Sequence, residues 1–303
     1  MEKTSYNGWD NNVRLQCGAA DLIATLDVGP RILRFGFRGE RNLFAEMADQ
    51  QGGRGESEWM IRGGHRLWAA PEKKPDTYEP DNDPVEASAL PDGGVRLTPP
   101  IGKLTGLQKI MDLVPLPDEN GVEIRHVLVN RGDRVAEVAP WALTVMAPGG
   151  TAIVPLPAKI PHTERLTHNQ EWSLWSYTDL TDSRLTLGSR FVLLRQDPAR
   201  GPIKLGLAHR EGWAGYALDG CVFVKRFERL ETAVYPDGNV NFEMFANEEF
   251  LEIESLGGLT ALRPGDRIEH RETWSLRKTD RAIVTESDAA RWANKDETDS
   301  IKS

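Results

Sequence analysis

From Val240 to Glu254 the chain reads VNFEMFANEEFLEIE, with Val240, Phe242, Met244 and Ala246, then Leu251 and Ile253, on alternate positions. A period of two puts such side chains on one face of an extended strand and their neighbours on the other. The stretch is therefore expected to form paired strands whose second face carries Asn241, Glu243, Phe245, Phe250, Glu252 and Glu254. With Asn247-Glu248 as a two-residue hairpin loop, Glu243 is expected opposite Glu252, and Asn241 opposite Glu254. Like charges opposed across a ladder cost roughly 0.2–1 kcal/mol. A cation, a shared proton or a polyol ligand on that face would offset the cost; a face simply open to water is the alternative.

The same alternation returns along most of the chain. Strands are expected at Val13–Cys17, Asp21–Val28 and Arg31–Arg38, with a further one at Asn42–Glu46. They resume at Gly94–Pro99, Leu104–Leu116, Val122–Asn130 and Val135–Met146. Arg190–Arg195, Ile203–Ala208, Gly212–Leu218, Cys221–Phe227 and Arg267–Leu276 complete the set. Asp219-Gly220 between two of these is a strong hairpin signal. Roughly fifteen strands with almost no helical periodicity predict an all-β chain of antiparallel sheets packed face to face. No linker interrupts the pattern, so residues 1–277 are expected to form one domain. Residues 278–303 are expected to be a charged tail with one short helix over Asp288–Asn294.

The chain has 303 residues, 39% hydrophobic and 27% charged, and a net charge of -9. That balance, with no basic cluster, speaks against nucleic acid or another polyanion as partner. No apolar run of about 18 residues is present, so no membrane span is expected. The polar start MEKTSYNGWDNN has no signal-peptide core, and the chain reads as cytoplasmic. Cys17 and Cys221 allow one bridge at most and read as buried thiols.

Chemistry is sought in three places. The box Arg62-Gly63-Gly64-His65-Arg66-Leu67-Trp68 reads as a binding loop: two glycines permit close backbone approach or a turn, and His65, Arg66 and Trp68 offer ligand contacts. Trp172 and Trp175, beside Tyr177 and Asp179, present ring faces of the kind that pack on sugars, or else a packed loop. Lys204 and Lys225 sit inside strand patterns, where a cation is expected to pair with a carboxylate such as Glu243, Glu252 or Glu254. Phosphate loops, nucleophile elbows and zinc spacings are absent, so no cofactor or transition metal is expected. A Ca²⁺ ion on the carboxylate cluster remains compatible with an all-oxygen donor set.

Taken together, DLIATLDVGPRILRF, GGHRLW, and LEIESLG followed by LRPGD and HRETWSL resemble the galactose-mutarotase-like, or aldose 1-epimerase-like, superfamily. The similarity spans about Val13 to Leu276, and within the superfamily it is nearest the DUF4380 branch. The resemblance implies a β-supersandwich of two large antiparallel sheets that binds a carbohydrate on a concave sheet face. It further implies Glu254 as the base that takes the anomeric proton, with His65 roughly matching a substrate-binding His. Arg66, Trp68, Trp175, Lys204, Lys225, Asn241, Glu243 and Glu252 are then candidate substrate-binding residues. The family's acid is a His in a central strand, and the corresponding APWALTVMAPGG has none; His65, His126, Lys204 or Lys225 would have to replace it. The expected activity is anomer interconversion. The alternatives are a non-catalytic sugar-binding or sensing protein, and a lyase or hydrolase on the same scaffold.

Overall fold

The structure, a computed structural model, describes residues 2–300, with side chains through residue 294. Two antiparallel sheets of eleven and ten strands pack face to face. The first runs in the spatial order Glu2–Tyr6, Trp9–Cys17, Ala20–Thr25, Arg31–Phe37, Gly64–Ala70, Ala136–Met146, Leu251–Leu256, Phe242–Ala246, Ile203–Leu207 and Trp172–Leu174. Its eleventh strand, Thr260–Leu262, pairs with the start of Ala136–Met146. The second sheet runs Leu185–Leu187, Phe191–Arg195, Thr151–Pro155, Trp213–Leu218, Cys221–Phe227, Arg267–Lys278, Gly121–Asn130, Leu107–Leu116, Val95–Thr98 and Glu86–Ala89.

Period-two patterning explains why the sheets stack. Phe242, Met244, Leu251 and Ile253 from the first sheet meet Tyr216, Phe223, Trp274 and Leu276 from the second in one buried cluster. At its centre Phe35, Phe44, Phe223 and Trp274 pack mostly edge to face, Phe44 and Trp274 with centroids 5.6 Å apart. Such interleaved aromatics contribute about 0.5–1.5 kcal/mol per pair beyond area burial. Both cysteines are buried and free. Among the described residues no helix is long and apolar enough to cross a membrane.

Four local expectations are corrected. The first expected strand, Val13–Cys17, begins earlier, at Trp9, and forms an edge hairpin with Glu2–Tyr6. Asn42–Glu46 makes only isolated bridges, Phe44 to Met146 and Glu46 to Gly63. The GGHRLW box is a central strand rather than a surface loop, pairing along its length with Ala136–Met146. Its glycines serve backbone packing, since a Cβ on Gly63 or Gly64, at φ +83° and +69°, would lie 2.0 Å from Ala45 O or 2.2 Å from Ile32 O.

The fourth correction is the hairpin register. Asn247 donates its amide to Phe250 O and its Oδ1 accepts the amides of Glu249 and Phe250. The turn therefore centres on Glu248-Glu249, one residue later than expected. Moving a turn centre by one shifts the pairing by two, which preserves the face but changes the partners. Glu243 lies opposite Glu254, and Phe245 opposite Glu252.

The C-terminal segment is more ordered than a charged tail. A helix spans Glu286–Ser300, and Ala289, Ala290, Trp292 and Ala293 pack on Ile153, Phe191, Leu193 and Trp213 of the second sheet. Its start is a reciprocal cap, with Thr285 Oγ1 accepting the Asp288 amide and Asp288 Oδ2 accepting the Thr285 amide. Thr285→Ala is expected to cost about 1 kcal/mol, read as a lower urea midpoint at unchanged slope.

Candidate functional site

On the outer face of the first sheet, alternate residues of five adjacent strands converge. Gly64–Ala70 contributes Arg66 and Trp68, Ala136–Met146 contributes Trp141, and Leu251–Leu256 contributes Glu252 and Glu254. Phe242–Ala246 adds Glu243, and Ile203–Leu207 adds Lys204. Each is the odd-face neighbour of a residue facing the core, so core packing fixes their direction. All are at least nine-tenths buried, and Glu243 and Glu254 are 0% exposed.

Lys204 organises the centre. Its Nζ lies 2.7 Å from Glu243 Oε2 and 3.0 Å from Glu254 Oε2. The ammonium sits 4.7 Å from the Trp141 ring centroid and 4.8 Å from that of Trp175, a cation–π arrangement. Trp175 is held there because its carbonyl accepts the Thr178 amide while Thr178 Oγ1 donates to Lys204 O. Trp141 Nε1 donates to Glu254 Oε2 at 2.8 Å. Glu254 Oε1 is buried and has no hydrogen-bond partner among the described residues.

A second group adjoins the first. Arg66 pairs with Glu252 at 2.9 Å, and its guanidinium lies over Trp68 and Trp59 with 4.3 and 5.2 Å to the ring centroids. Tyr78 closes this aromatic cluster against Trp59 and Trp68. The indole N–H groups of Trp59 and Trp68 and the Arg66 Nε are buried without an acceptor. Buried polar atoms are ordinarily paired, so unmet donors beside an unmet carboxylate oxygen mark a face that suits a hydroxyl-rich ligand.

Titration separates the carboxyl groups. Burial raises the Glu243 pKa well above the carboxylate range; Lys204 opposes this and repulsion from Glu254 adds to it. Burial likewise raises Glu252, with Arg66 opposing and Glu254 reinforcing. For Lys204 burial disfavours the charge, but Glu254 and Glu243 together outweigh it and raise the pKa, so the ammonium persists. Asp237, which approaches Glu243, is raised by burial. The cation that serves Glu243 and Glu254 is thus the Lys204 ammonium.

Of the residues chosen from sequence, Glu243, Glu252, Glu254, Arg66, Trp68, Lys204 and Trp175 are brought together. Three are not. Asn241 is committed to the His209 backbone through both amide atoms, with Arg229 adding a third contact. Lys225 and His65 lie on the opposite side of the sheet from Glu254, enclosed between the sheets and 0% exposed. His65 falls one position off the outer-face alternation of its strand, and Lys225 belongs to the second sheet, whose strand Cys221–Phe227 turns it toward the interior.

The sandwich interior holds a polar chain of its own. His126 Nδ1 faces His270 O at 3.2 Å and must donate to it, which leaves His126 Nε2 as acceptor. His65 Nε2, at 2.7 Å, is then the donor, and His65 Nδ1 accepts from Thr144 Oγ1 at 2.9 Å. Both imidazoles are neutral in this arrangement. Burial lowers both pKa values, His126 to about 4, and Lys225 contributes to each shift. Lys225 pairs with Glu272 at 2.8 Å, whose oxygens also accept from Ser255 and Trp274. His65, His126 and Glu272 lie close enough to hold a metal ion; in this arrangement the facing ring nitrogens of the two histidines bond to each other. Of the other histidines, His270 accompanies this chain through Ser255, His209 bonds to Trp213 O, and His162 and His168 lie on an exposed loop.

Trp141, Trp59 and Asp237 were not singled out as site residues. Trp141 lies in the expected strand Val135–Met146 on the same face as Leu143, but which face that is follows only from the pairing of Leu143 with Glu254. Trp59 and Asp237 come from irregular segments, where no periodicity assigns a face.

This architecture is that of the galactose mutarotase-like β-sandwich. A galactose mutarotase-like protein from Lactobacillus casei superposes with a TM-score of 0.55 at 11% identity, covering 88% of this chain and 100% of that one. A galactose mutarotase related enzyme from Lactobacillus acidophilus gives 0.56 at 9% identity, covering 90% and 99%. The Slr1438 protein from Synechocystis gives 0.58 at 10%, covering 92% and 100%. Identities this low carry the fold alone. No protein-family model and no curated protein sequence matches the chain.

Proposed function

We propose that the outer face of the first sheet binds a monosaccharide, or the end of an oligosaccharide, and interconverts its anomers in the manner of an aldose 1-epimerase. The observation that carries this reading is the Glu254 carboxyl group: Trp141 and Lys204 fix Oε2, while Oε1 is buried and has no partner among the described residues. Oε1 takes the proton of the anomeric hydroxyl as the bond from the anomeric carbon to the ring oxygen breaks. The ring oxygen must gain a proton in the same event. Glu243 supplies it, since its raised pKa keeps the acid form available beside Glu254. Two carboxyl groups driven to different roles by their surroundings is a recurrent solution to acid–base pairing. Reclosure of the open chain on the other face reverses both transfers. The DUF4380 likeness of GGHRLW and LEIESLG is consistent with this reading, though it adds no chemistry to it.

Anomeric exchange across a panel of aldoses, followed by NMR, tests the proposal. Wild type is expected to accelerate exchange of at least one sugar, and Glu254→Gln to lose on the order of 10²–10⁴ of that rate with binding retained. Equal rates in the two proteins would remove Glu254 as base. Saturable binding with no acceleration would favour a sugar-binding protein, a reading supported by the lack of any His on this face among the described residues.

A further inference from the structure

A cleft of about 450 Å³ opens where the turn at 29–30, the loop 55–57, the segment 79–83 and the loop 99–104 meet the strand Leu107–Leu116. It shares no lining residue with the Glu243–Glu254 face. Lys109 enters it from that strand, on the side that Met111 and Leu113 turn toward the core. Its ammonium makes no hydrogen bond or ion pair among the described residues, although burial is substantial enough to lower its pKa against the pull of Asp81 and Glu79.

The other charges lining the cleft are accounted for. Glu56 pairs with Arg62 at 2.5 Å and Asp83 with Lys103 at 3.4 Å. Glu79 accepts the Leu104 and Thr105 amides and the Thr105 hydroxyl. Asp81 Oδ2 pairs with Arg31 at 3.1 Å, but Asp81 Oδ1 is buried with no partner. Among the described residues that line the cleft, Lys109 is thus a cation without a partner and Asp81 carries an unmet acceptor, in a concave space walled by Pro30, Pro80, Pro99 and Pro100. A half-buried ammonium without a counter-ion and a buried acceptor without a donor are both unfavourable, and one small ligand relieves both.

We propose that this cleft is a second ligand site, which takes a small organic carboxylate carrying a hydrogen-bond donor on a neighbouring carbon. The ligand's carboxylate sits on the Lys109 ammonium and its donor on Asp81 Oδ1. A hydroxy acid, a sugar acid and an amino acid share that chemistry.

Ligand-observed NMR titration with glycerate, glucuronate and alanine separates these sources, with propionate lacking the donor and glucose lacking the carboxylate. Saturable binding of at least one of the three acids is expected, weakened tenfold or more in Lys109→Met and in Asp81→Asn and unchanged in Glu254→Gln. The proposal is overturned if none of the acids saturates, if propionate binds as well, if glucose binds in a way that Lys109→Met weakens, or if Lys109→Met binds the acids undiminished. Binding lost in Glu254→Gln but kept in Lys109→Met would assign the acid to the carboxylate face and equally overturn it. A measurement on folded wild type guards against a variant that does not fold. With lysine ¹³C-labelled at Cε, one lysine resonance must move with the bound acid and stay still with glucose; no such resonance defeats the proposal.

Discussion

Lys225→Met is expected to unfold roughly 10 °C below wild type, from a loss of about 3–5 kcal/mol. The Lys225 ammonium is enclosed between the sheets, 2.8 Å from Glu272 Oε1 and within 3.3 Å of the carbonyls of Ala142 and Ile253. Replacing it with an apolar side chain of similar length preserves volume but leaves a buried carboxylate without its cation. Most of the loss is that uncompensated charge rather than the value of the pair itself. Lys225→Met/Glu272→Leu is therefore expected to recover part of the loss, because an apolar pair avoids both charge-desolvation costs but leaves the Ser255 hydroxyl and the Trp274 N–H without their acceptor. Thermal melts of the three proteins decide the matter. A double variant no more stable than the single one would show that packing around Lys225, not charge, sets the loss.

Raising the pH is expected to switch off anomer exchange in wild type as Glu243 loses its proton. The acid form is the reactive one, so the rate falls through the raised pKa rather than through the ordinary carboxylate range. Glu243→Gln removes that limb of the profile and lowers the plateau by about 10²-fold or more. The stability consequence has a definite sign. A carboxyl group whose pKa is higher folded than unfolded binds more protons when folded, so stability falls as pH rises from the unfolded pKa to the folded one. Glu243→Gln is therefore expected to flatten the stability profile above the unfolded carboxylate pKa. A profile as steep as that of wild type would place the titration on another group.

Period-two patterning made the sheets and the acidic face legible from sequence. Parity alone placed Glu243, Glu252 and Glu254 together, and it survived a misplaced turn because the error shifted the pairing by two. Parity also holds the reason His65 and Lys225 went astray: each belongs to the inward set of its strand, but was weighed by residue type. A charged residue in a strand pattern announces a partner without saying on which side of the sheet that partner lies. Lys204 found its carboxylates on the outer face and Lys225 found Glu272 within the sandwich. Trp59, Tyr78 and Asp237 reach the site from segments whose course is set by long-range packing, and no local pattern encodes that. The docked C-terminal helix was underread because its apolar face is short and built largely from alanine.

Lys225 also bears on the site it does not belong to. The two carbonyls it binds, Ala142 and Ile253, belong to residues next in sequence to Trp141 and Glu254. The strands that carry the proposed base and its indole donor are thus fastened from behind, while Lys204 fastens the side chain from the front. Two ammonium groups on opposite sides of one sheet leave Glu254 little freedom to tilt, and a base held that still meets its substrate without first having to be brought into line.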